Sequence, residues 1–359
     1  MLKKNIFLAL LLNLALSCFS QEEHAQNIVI ITLDGMRWQE VFGGIDTAIV
    51  KDKRFTKDSA GIMQTFGGRD EAERRQKLFP FLWTSVVQQG QVHGNRWRNS
   101  KVNVKNRYRF SYPGYNEIFT GYPDTAVNSN DKVLNKNGNV LEFLNSQPGL
   151  KGKVAVFSSW DVFPYILNRQ RSGLYVNADV DTFHFPSPSF QLLNEMQFLT
   201  AKPLDLRPDL ITYMAAKQYL KEFKPRVLYI AFDETDDFAH AGEYDQYLKS
   251  AHAEDGMIAD LWKTIQSMPE YRNKTTFIIA CDHGRGDAVK SEWTSHGEKI
   301  KGADEIWMAF LGTGIAAKGE IKSNEQLYQA QLAQTIASLM GFTFIVNHPV
   351  EAKIISLKP

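Results

Sequence analysis

The sequence predicts an α/β fold in which a mostly parallel central sheet is flanked by helices on both faces. Two observations carry that expectation. Short apolar runs end abruptly in polar residues: Asn27–Leu33 before Asp34, Val154–Phe157 before Ser158, Val227–Phe232 before Asp233, and Thr276–Ala280 before Cys281. Runs of this length without alternation belong to strands buried on both faces, as in a parallel sheet covered by helices. Helical patterns lie between and after these runs, with proline at the start or glycine past the end, so strand and helix succeed one another.

Taken in order, residues 1–20 stand apart. Lys3 and Lys4 precede an apolar run from Ile6 to Leu16, and the small residues Ser17 and Ser20 lie just before Gln21. This is the pattern of a secretory signal peptide. The run is shorter than the roughly 20 apolar residues a membrane span needs, and no other segment qualifies as a transmembrane helix. Two processing routes are open, cleavage after Ser20 or lipidation of Cys18 in Ala15-Leu16-Ser17-Cys18. Either exports the chain, to the periplasm or as a secreted protein.

Residues 24–350 are expected to form one α/β domain. The charged stretch Lys51–Lys77 reads as a surface excursion, and Phe79–Gln89 as a helix stopped by Gly90. From about 160 to 203 the rhythm breaks in a stretch rich in Phe, Pro, Ser and Asn (Phe183-His184-Phe185-Pro186-Ser187-Pro188). That stretch predicts an insertion beside the sheet, a lid or substrate wall. Helical periodicity resumes over Pro208–Phe223, Tyr244–Ser267 and Glu325–Met340, the last ending at Gly341.

Composition narrows the class. A chain of 359 residues, 43% hydrophobic, buries a substantial core. With 41 Lys+Arg against 40 Asp+Glu there is no broad basic surface, so binding to a nucleic-acid polymer is not expected. Aromatic content of 12%, with no low-complexity segment and no repeat, excludes a disordered or solenoid chain. Without the signal, Cys281 remains, alone or with a lipidated Cys18, so an intrachain disulfide framework is excluded. Stability must come from the core and from metals.

The chemistry collects where strands end. In open α/β sheets ligands gather at the carboxyl ends of the strands. Asp34 follows the first run, Asp282 and His283 follow another, and Phe232-Asp233-Glu234-Thr235-Asp236-Asp237-Phe238-Ala239-His240 follows a third, with His296 beyond in Ser295-His296-Gly297. Oxygen and imidazole donors mixed in this way suit zinc or a similar divalent ion. Singly, each has a plainer reading: Asp34 as a helix cap, Asp282-His283-Gly284 as a turn, Asp236 and His240 as a surface pair, His296 as a solvated loop residue. It is their joint, ordered occurrence that points to a metal site.

The order Asp34, then Ser111-Tyr112-Pro113-Gly114-Tyr115 with Thr120-Gly121, then Asp236-x3-His240, Asp282-His283 and His296 resembles the alkaline phosphatase superfamily. It is most similar to the nucleotide pyrophosphatase/phosphodiesterase branch and related exported bacterial phosphatases, over about residues 27 to 345. The resemblance implies an alkaline phosphatase-like catalytic domain binding two divalent metal ions, zinc being the expected metal. It places one ion on Asp236, His240 and His296. The other falls to Asp34, Asp282 and His283, with the Ser111 oxygen reaching it. Ser111 is then the nucleophile, standing where the diesterase branch commonly has threonine. A helix N-cap is the plainer reading of Ser111, and the two are compatible. Relatives also direct an asparagine amide at the phosphate, a role that falls to Asn130 or, next, to Asn128, each of which also suits a turn.

The implied reaction is hydrolysis of a small-molecule phosphate ester through a phosphoserine at Ser111, the metals activating the hydroxyl and stabilising the leaving oxygen. Ser-x-Pro also overlaps the sulfatase signature, but Tyr115 stands where that signature has arginine. Trp160, after the central strand, resembles the aromatic wall of diesterases, although packing under the insertion explains it as well. Arg285 suits either a phosphate contact or an ion pair with Asp287. Monoester and diester both remain open, and the sequence sets no oligomeric state. The rivals are a sulfate- or phosphonate-ester hydrolase on the same scaffold and a metal-holding binding protein without turnover. An intracellular sugar-phosphate mutase conflicts with the export signal.

Overall fold

The computed structural model describes residues 24–202 and 204–358; the expected signal peptide, with Cys18, lies outside them. Among the described residues no helix is long and apolar enough to cross a membrane.

The four apolar runs form β1 (Asn27–Leu33), β4 (Val154–Ser158), β6 (Val227–Phe232) and β7 (Thr275–Ala280). With β2 (Gly90–His93), β5 (Tyr175–Ala178), β9 (Met308–Gly312) and β10 (Gly319–Glu320) they make an eight-stranded sheet ordered β10-β2-β9-β7-β1-β6-β4-β5. The block β7-β1-β6-β4-β5 is parallel throughout, and β9 runs against both β7 and β2. The fold is α/β, with a mostly parallel central sheet flanked by helices.

Every residue of β1, β4, β6 and β7 is buried, which is why these strands show no polar alternation. Each large aliphatic side chain so placed contributes roughly 1.5–3 kcal/mol over leaving it exposed. That packing makes the strand ends a rigid platform. Register brings the ends level: Leu33 pairs with Phe232, and Thr32 with Ala280. Asp34, Asp233 and Asp282 therefore emerge side by side at one edge.

The helices that serve the site are α1 (Ser111–Thr120), α2 (Asp209–Phe223), α3 (Glu234–His240) and α4 (Tyr244–Ser267). Three stretches differ from expectation. Glu325–Tyr328 is not the start of a helix but a strand, β11, paired with β3 (Ser100–Asn103) in a small sheet with β8 (Glu305–Ile306). The helix there is confined to Leu332–Leu339, where apolar residues recur at helical spacing. Within 79–89 the turn Leu82–Val86 is π-helical, and the Asp255 carboxylate caps its approach by accepting the Phe81 and Leu82 amides. The 160–203 stretch is not wholly beside the sheet. It contributes β5, the edge strand on β4, because Val176 and Ala178 find buried places there, while Pro188–Leu199 forms a helix outside it.

Candidate functional site

Ser111 opens α1 as its first helical residue, preceded by Phe110 in extended conformation. The N-cap is therefore Phe110 and not Ser111, contrary to the plainer sequence reading, and Ser111 stands one position inside the helix. The hydroxyl is thus left for other use, and it sits 3.4 Å from His283 Nε2. The buried Glu117, further along α1, accepts the Lys105 and Asn106 amides and fixes the preceding loop to the helix. Pro113 has no N–H, and the Tyr112 amide donates to Asn130 Oδ1 at 2.9 Å, leaving the Ser111 amide as the first-turn donor without an intrahelical acceptor.

His283 is fully buried and is the hub of three carboxylates. Its Nε2 lies 3.3 Å from Asp34 Oδ1, 3.5 Å from Asp282 Oδ2 and 3.7 Å from Asp236 Oδ1. Its Nδ1 lies 3.0 Å from the Gly284 carbonyl, which can only accept, so Nδ1 carries a proton and Nε2 faces the acids. His296 repeats the arrangement: Nδ1 lies 3.2 Å from the Arg109 carbonyl, and Nε2 lies 3.9 Å from Asp236 Oδ1 and 2.9 Å from His240 Nε2. A ring nitrogen held by a backbone carbonyl while its partner points into a cluster is how metal-binding histidines are oriented.

The electrostatics reflect the crowding. Burial opposes charge on Asp236, yet the Arg285 guanidinium against its Oδ1 holds the carboxyl well below the usual range. Burial, followed by the neighbouring Asp34, drives Asp282 well above that range. Burial lowers His283, but Asp282 and Asp34 outweigh it and raise the ring to about 9. Burial and then His283 depress His296 to about 2, so this imidazole is neutral and free to act as a ligand.

Two overlapping clusters result, Asp236–His240–His296 and Asp34–Asp236–His283, each with donor atoms within 4.8 Å of one another. Asp282 adjoins the second through His283. Buried oxygens test whether these residues fit cations. Asp34 Oδ1 and Asp282 Oδ2 are buried without a hydrogen-bond partner, an expensive state unless a cation completes it. The donor set fits divalent ions of the zinc type.

The support beneath is dense. Tyr115 donates its hydroxyl to Asp34 Oδ2 at 2.9 Å, Thr235 donates to the Asp34 carbonyl, and the Gly35 amide donates to Asp282 Oδ1. Gly35 must be glycine: its φ is +57°, and a Cβ there would stand 2.5 Å from Asp236 Oδ1. The α3 helix, which carries Asp236 and His240, is capped from outside: Asp209 accepts the Asp233 and Glu234 amides. Sequence reading passed over Asp209 because its partner lies across a crossover connection, and passed over the Tyr115 hydroxyl for the same reason.

Ser111, Asn130, Trp160, Asp236, His240 and His296 face one cavity of about 360 Å³. Asn128 instead lines a neighbouring hollow with Tyr112 and Asp124. Arg285 is buried under the site against Asp236, and Asp287 pairs with Arg37 and Lys290.

The family model for type I phosphodiesterase / nucleotide pyrophosphatase matches residues 52–337. The chain belongs to that family. Of the ligand-type residues above, only Asp34 precedes the matched region. Alkaline phosphatase PafA superposes with a TM-score of 0.65 at 10% identity, over 94% of this chain and 99% of PafA. The lipoteichoic acid synthase LtaP from Listeria monocytogenes superposes at 0.57 and 12% identity, covering 89% and 73% of the two chains. A 2-O GAG sulfatase gives 0.55 at 14% identity, covering 90% and 72%. These likenesses establish an alkaline phosphatase superfamily fold. A search of curated protein sequences returned no match. As a phosphodiesterase-family chain of this fold, the protein is placed among phosphoester hydrolases.

Proposed function

We propose that the protein is an exported phosphodiesterase that acts through a phosphoserine at Ser111 with two divalent cations, zinc being the expected metal. The observation that carries this is the position of the Ser111 hydroxyl, 3.4 Å from His283 Nε2 and lining one cavity with Asp236, His240 and His296. Asp236, His240 and His296 would hold one ion, and Asp34, Asp282 and His283 the other. When bound, such ions supply Lewis-acid stabilisation of the serine alkoxide and of charge on the phosphoryl oxygens.

The chain's own residues do the rest. Packing of α1 aims Ser111 Oγ into the cavity, so attack is effectively unimolecular once the ester is seated. The Ser111 amide offers a donor to a phosphoryl oxygen at the positive end of α1. With its carbonyl taken by Tyr112, Asn130 has its amide left to meet another such oxygen. As Ser111 Oγ bonds to phosphorus, the bond from phosphorus to the leaving alcohol breaks. Water then attacks phosphorus, the Oγ–P bond breaks, and the serine hydroxyl is restored. Among the described residues no Lys or Arg lines the cavity, which supports a monoanionic diester over a dianionic monoester.

The test couples elemental analysis of purified protein to parallel rates on phosphate diester, phosphate monoester and sulfate ester probes. Two ions per chain and a preference for diesters are expected. Ser111→Ala should keep the metals and the fold and lose turnover; full activity in that variant sinks the covalent route.

A further inference from the structure

Backbone at positive φ is unusual for a residue with a side chain, and it marks places where the surrounding structure dictates the turn. Among the described residues seven non-glycine positions have it. Five of them (Asn99, Asn168, Asp179, Asp205 and Asn273) are asparagine or aspartate, the types that tolerate it best, and Lys224 ends α2 as its C-cap. Arg109, at +56°, belongs to neither group. It stands two residues before Ser111.

The turn is held from α1. The buried Glu117 accepts the Asn106 backbone amide at 2.7 Å and the Asn106 side-chain amide at 2.9 Å, both on Oε2. So fixed, the buried Asn106 offers Oδ1 to the Arg109 amide at 2.9 Å and closes the turn three residues on. The Arg109 side chain takes no part in this. It is half-buried, with Nη1 3.6 Å from Asp304 Oδ1 and 3.5 Å from the Glu298 carbonyl. Beyond the amide, the Arg109 carbonyl meets His296 Nδ1 at 3.2 Å, and Phe110 runs extended into α1. His296 lies on a loop, where neither strand nor helix sets the ring. Its orientation therefore depends on the carbonyl that takes its Nδ1 proton.

We propose that Arg109 is a positioning residue for the cation assigned to Asp236, His240 and His296. Its left-handed backbone, pinned by Asn106 and Glu117, holds the carbonyl on His296 Nδ1 and so keeps Nε2 toward Asp236 and His240. This rests on the two-cation reading above. The same turn leads into the nucleophile, so one buried Asn–Glu pair sets a metal ligand and the start of α1 together. The backbone conformation is what the role needs, and the guanidinium is dispensable for it.

The experiment is a series at one position. Arg109→Gly, Arg109→Ala and Arg109→Val all lose the guanidinium and its contacts. They differ in how well they accept positive φ: glycine freely, alanine poorly, valine worst. Calorimetric titration of the chelated proteins with zinc should show binding at Asp236, His240 and His296 weakening in that order. The Val variant should bind at least roughly tenfold more weakly there than the Gly variant, with the Asp34 cluster unchanged. Asn106→Ala should weaken the same phase, and adding Arg109→Gly to it should recover part of the loss, which a merely structural role for Asn106 does not allow. Equal zinc binding by the Gly and Ala variants, or equal weakening of both phases, overturns the proposal, and this comparison stands even if the Val variant does not fold. If the parent chain takes up fewer than two zinc ions, the two-cation reading fails, and nitrogen NMR of the metal-free imidazoles decides whether Arg109 sets the ring. A His296 ring protonated on Nδ1 in the parent chain and the Gly variant, and of mixed tautomer in the Ala variant, retains the positioning role. The same tautomer in all three removes it.

Discussion

Replacing Tyr115 by phenylalanine removes one oxygen and little else. The ring packs against Phe163 with centroids 4.6 Å apart, a contact phenylalanine keeps. What is lost is the 2.9 Å hydrogen bond from the hydroxyl to Asp34 Oδ2, in a place with no access to solvent. Asp34 Oδ1 already lacks a hydrogen-bond partner, so the variant leaves the buried carboxylate with neither oxygen hydrogen-bonded and with His283 Nε2, 3.3 Å from Oδ1, as its remaining polar neighbour. A hydrogen bond to a charged group contributes about 1.5–3 kcal/mol. Supporting contacts of this kind around metal ligands typically govern 10–100-fold in affinity. The two scales agree, because about 1.4 kcal/mol corresponds to tenfold. We therefore expect Tyr115→Phe to weaken zinc binding at the Asp34 cluster by about one to two decades. Binding at Asp236, His240 and His296 should change much less, since Tyr115 touches none of them. Calorimetric titration of the chelated protein with zinc separates the two phases. If both phases are unchanged, or both weaken equally, Tyr115 does not act through Asp34 and the division into two clusters is wrong.

Two further perturbations test the scaffold. Gly35→Ala forces a Cβ to 2.5 Å from Asp236 Oδ1 at a φ of +57°, so it should cost a few kcal/mol of stability and most of the bound metal, read by urea unfolding and elemental content. At Gly256 an added methyl would meet nothing within 4 Å, and Gly256→Ala should spare both measurements. Asp255 addresses pH: burial raises its carboxyl to about 7 against an ordinary 3.8. The folded chain then holds a proton that the unfolded chain has lost across that window, so stability should fall as pH rises from about 4 to about 7. Asp255→Asn should flatten that part of the curve, and an unaltered slope in urea titrations would reject the assignment.

The long parallel strands were legible because complete burial removes polar alternation, leaving runs such as Asn27–Leu33 that have no other good reading. Short strands carry too few residues for a period to show. Glu325–Tyr328 continues into a helical pattern, and only its pairing with Ser100–Asn103 reveals it as a strand. In the site, ligand-type residues could be read because they follow strand ends, but their support could not. Arg285 has an acid two residues away in sequence, yet the one it meets is Asp236, brought over by α3. Asp287 is instead engaged by Arg37 and Lys290. Asn128 and Asn130 are two residues apart and face different hollows, a division set by the path of the loop and by the Tyr112 amide.

The two ligand clusters differ in how firmly the fold holds them, and this predicts the order in which they release metal. Asp34, Asp282 and His283 sit on strand ends, are entirely buried, and are fixed by Tyr115, the Gly35 amide and the Gly284 carbonyl. His240 stands exposed at the last residue of α3, and His296 lies on a loop, only partly covered. A chelator must reach an ion and displace its ligands in turn, and exposed ligands on a helix end are the easier to displace. Asp236 stands in both clusters and is in contact with Arg285, which would keep its carboxylate paired once the first ion had left. That contact would stabilise a site holding one ion. Dialysis against a chelator, followed by zinc content over time, should therefore show one ion leaving well before the other, and His240→Ala should abolish the fast phase alone. Simultaneous loss of both ions in the parent chain would mean that the clusters empty as a unit, and that the rigidity of the strand ends does not govern metal retention.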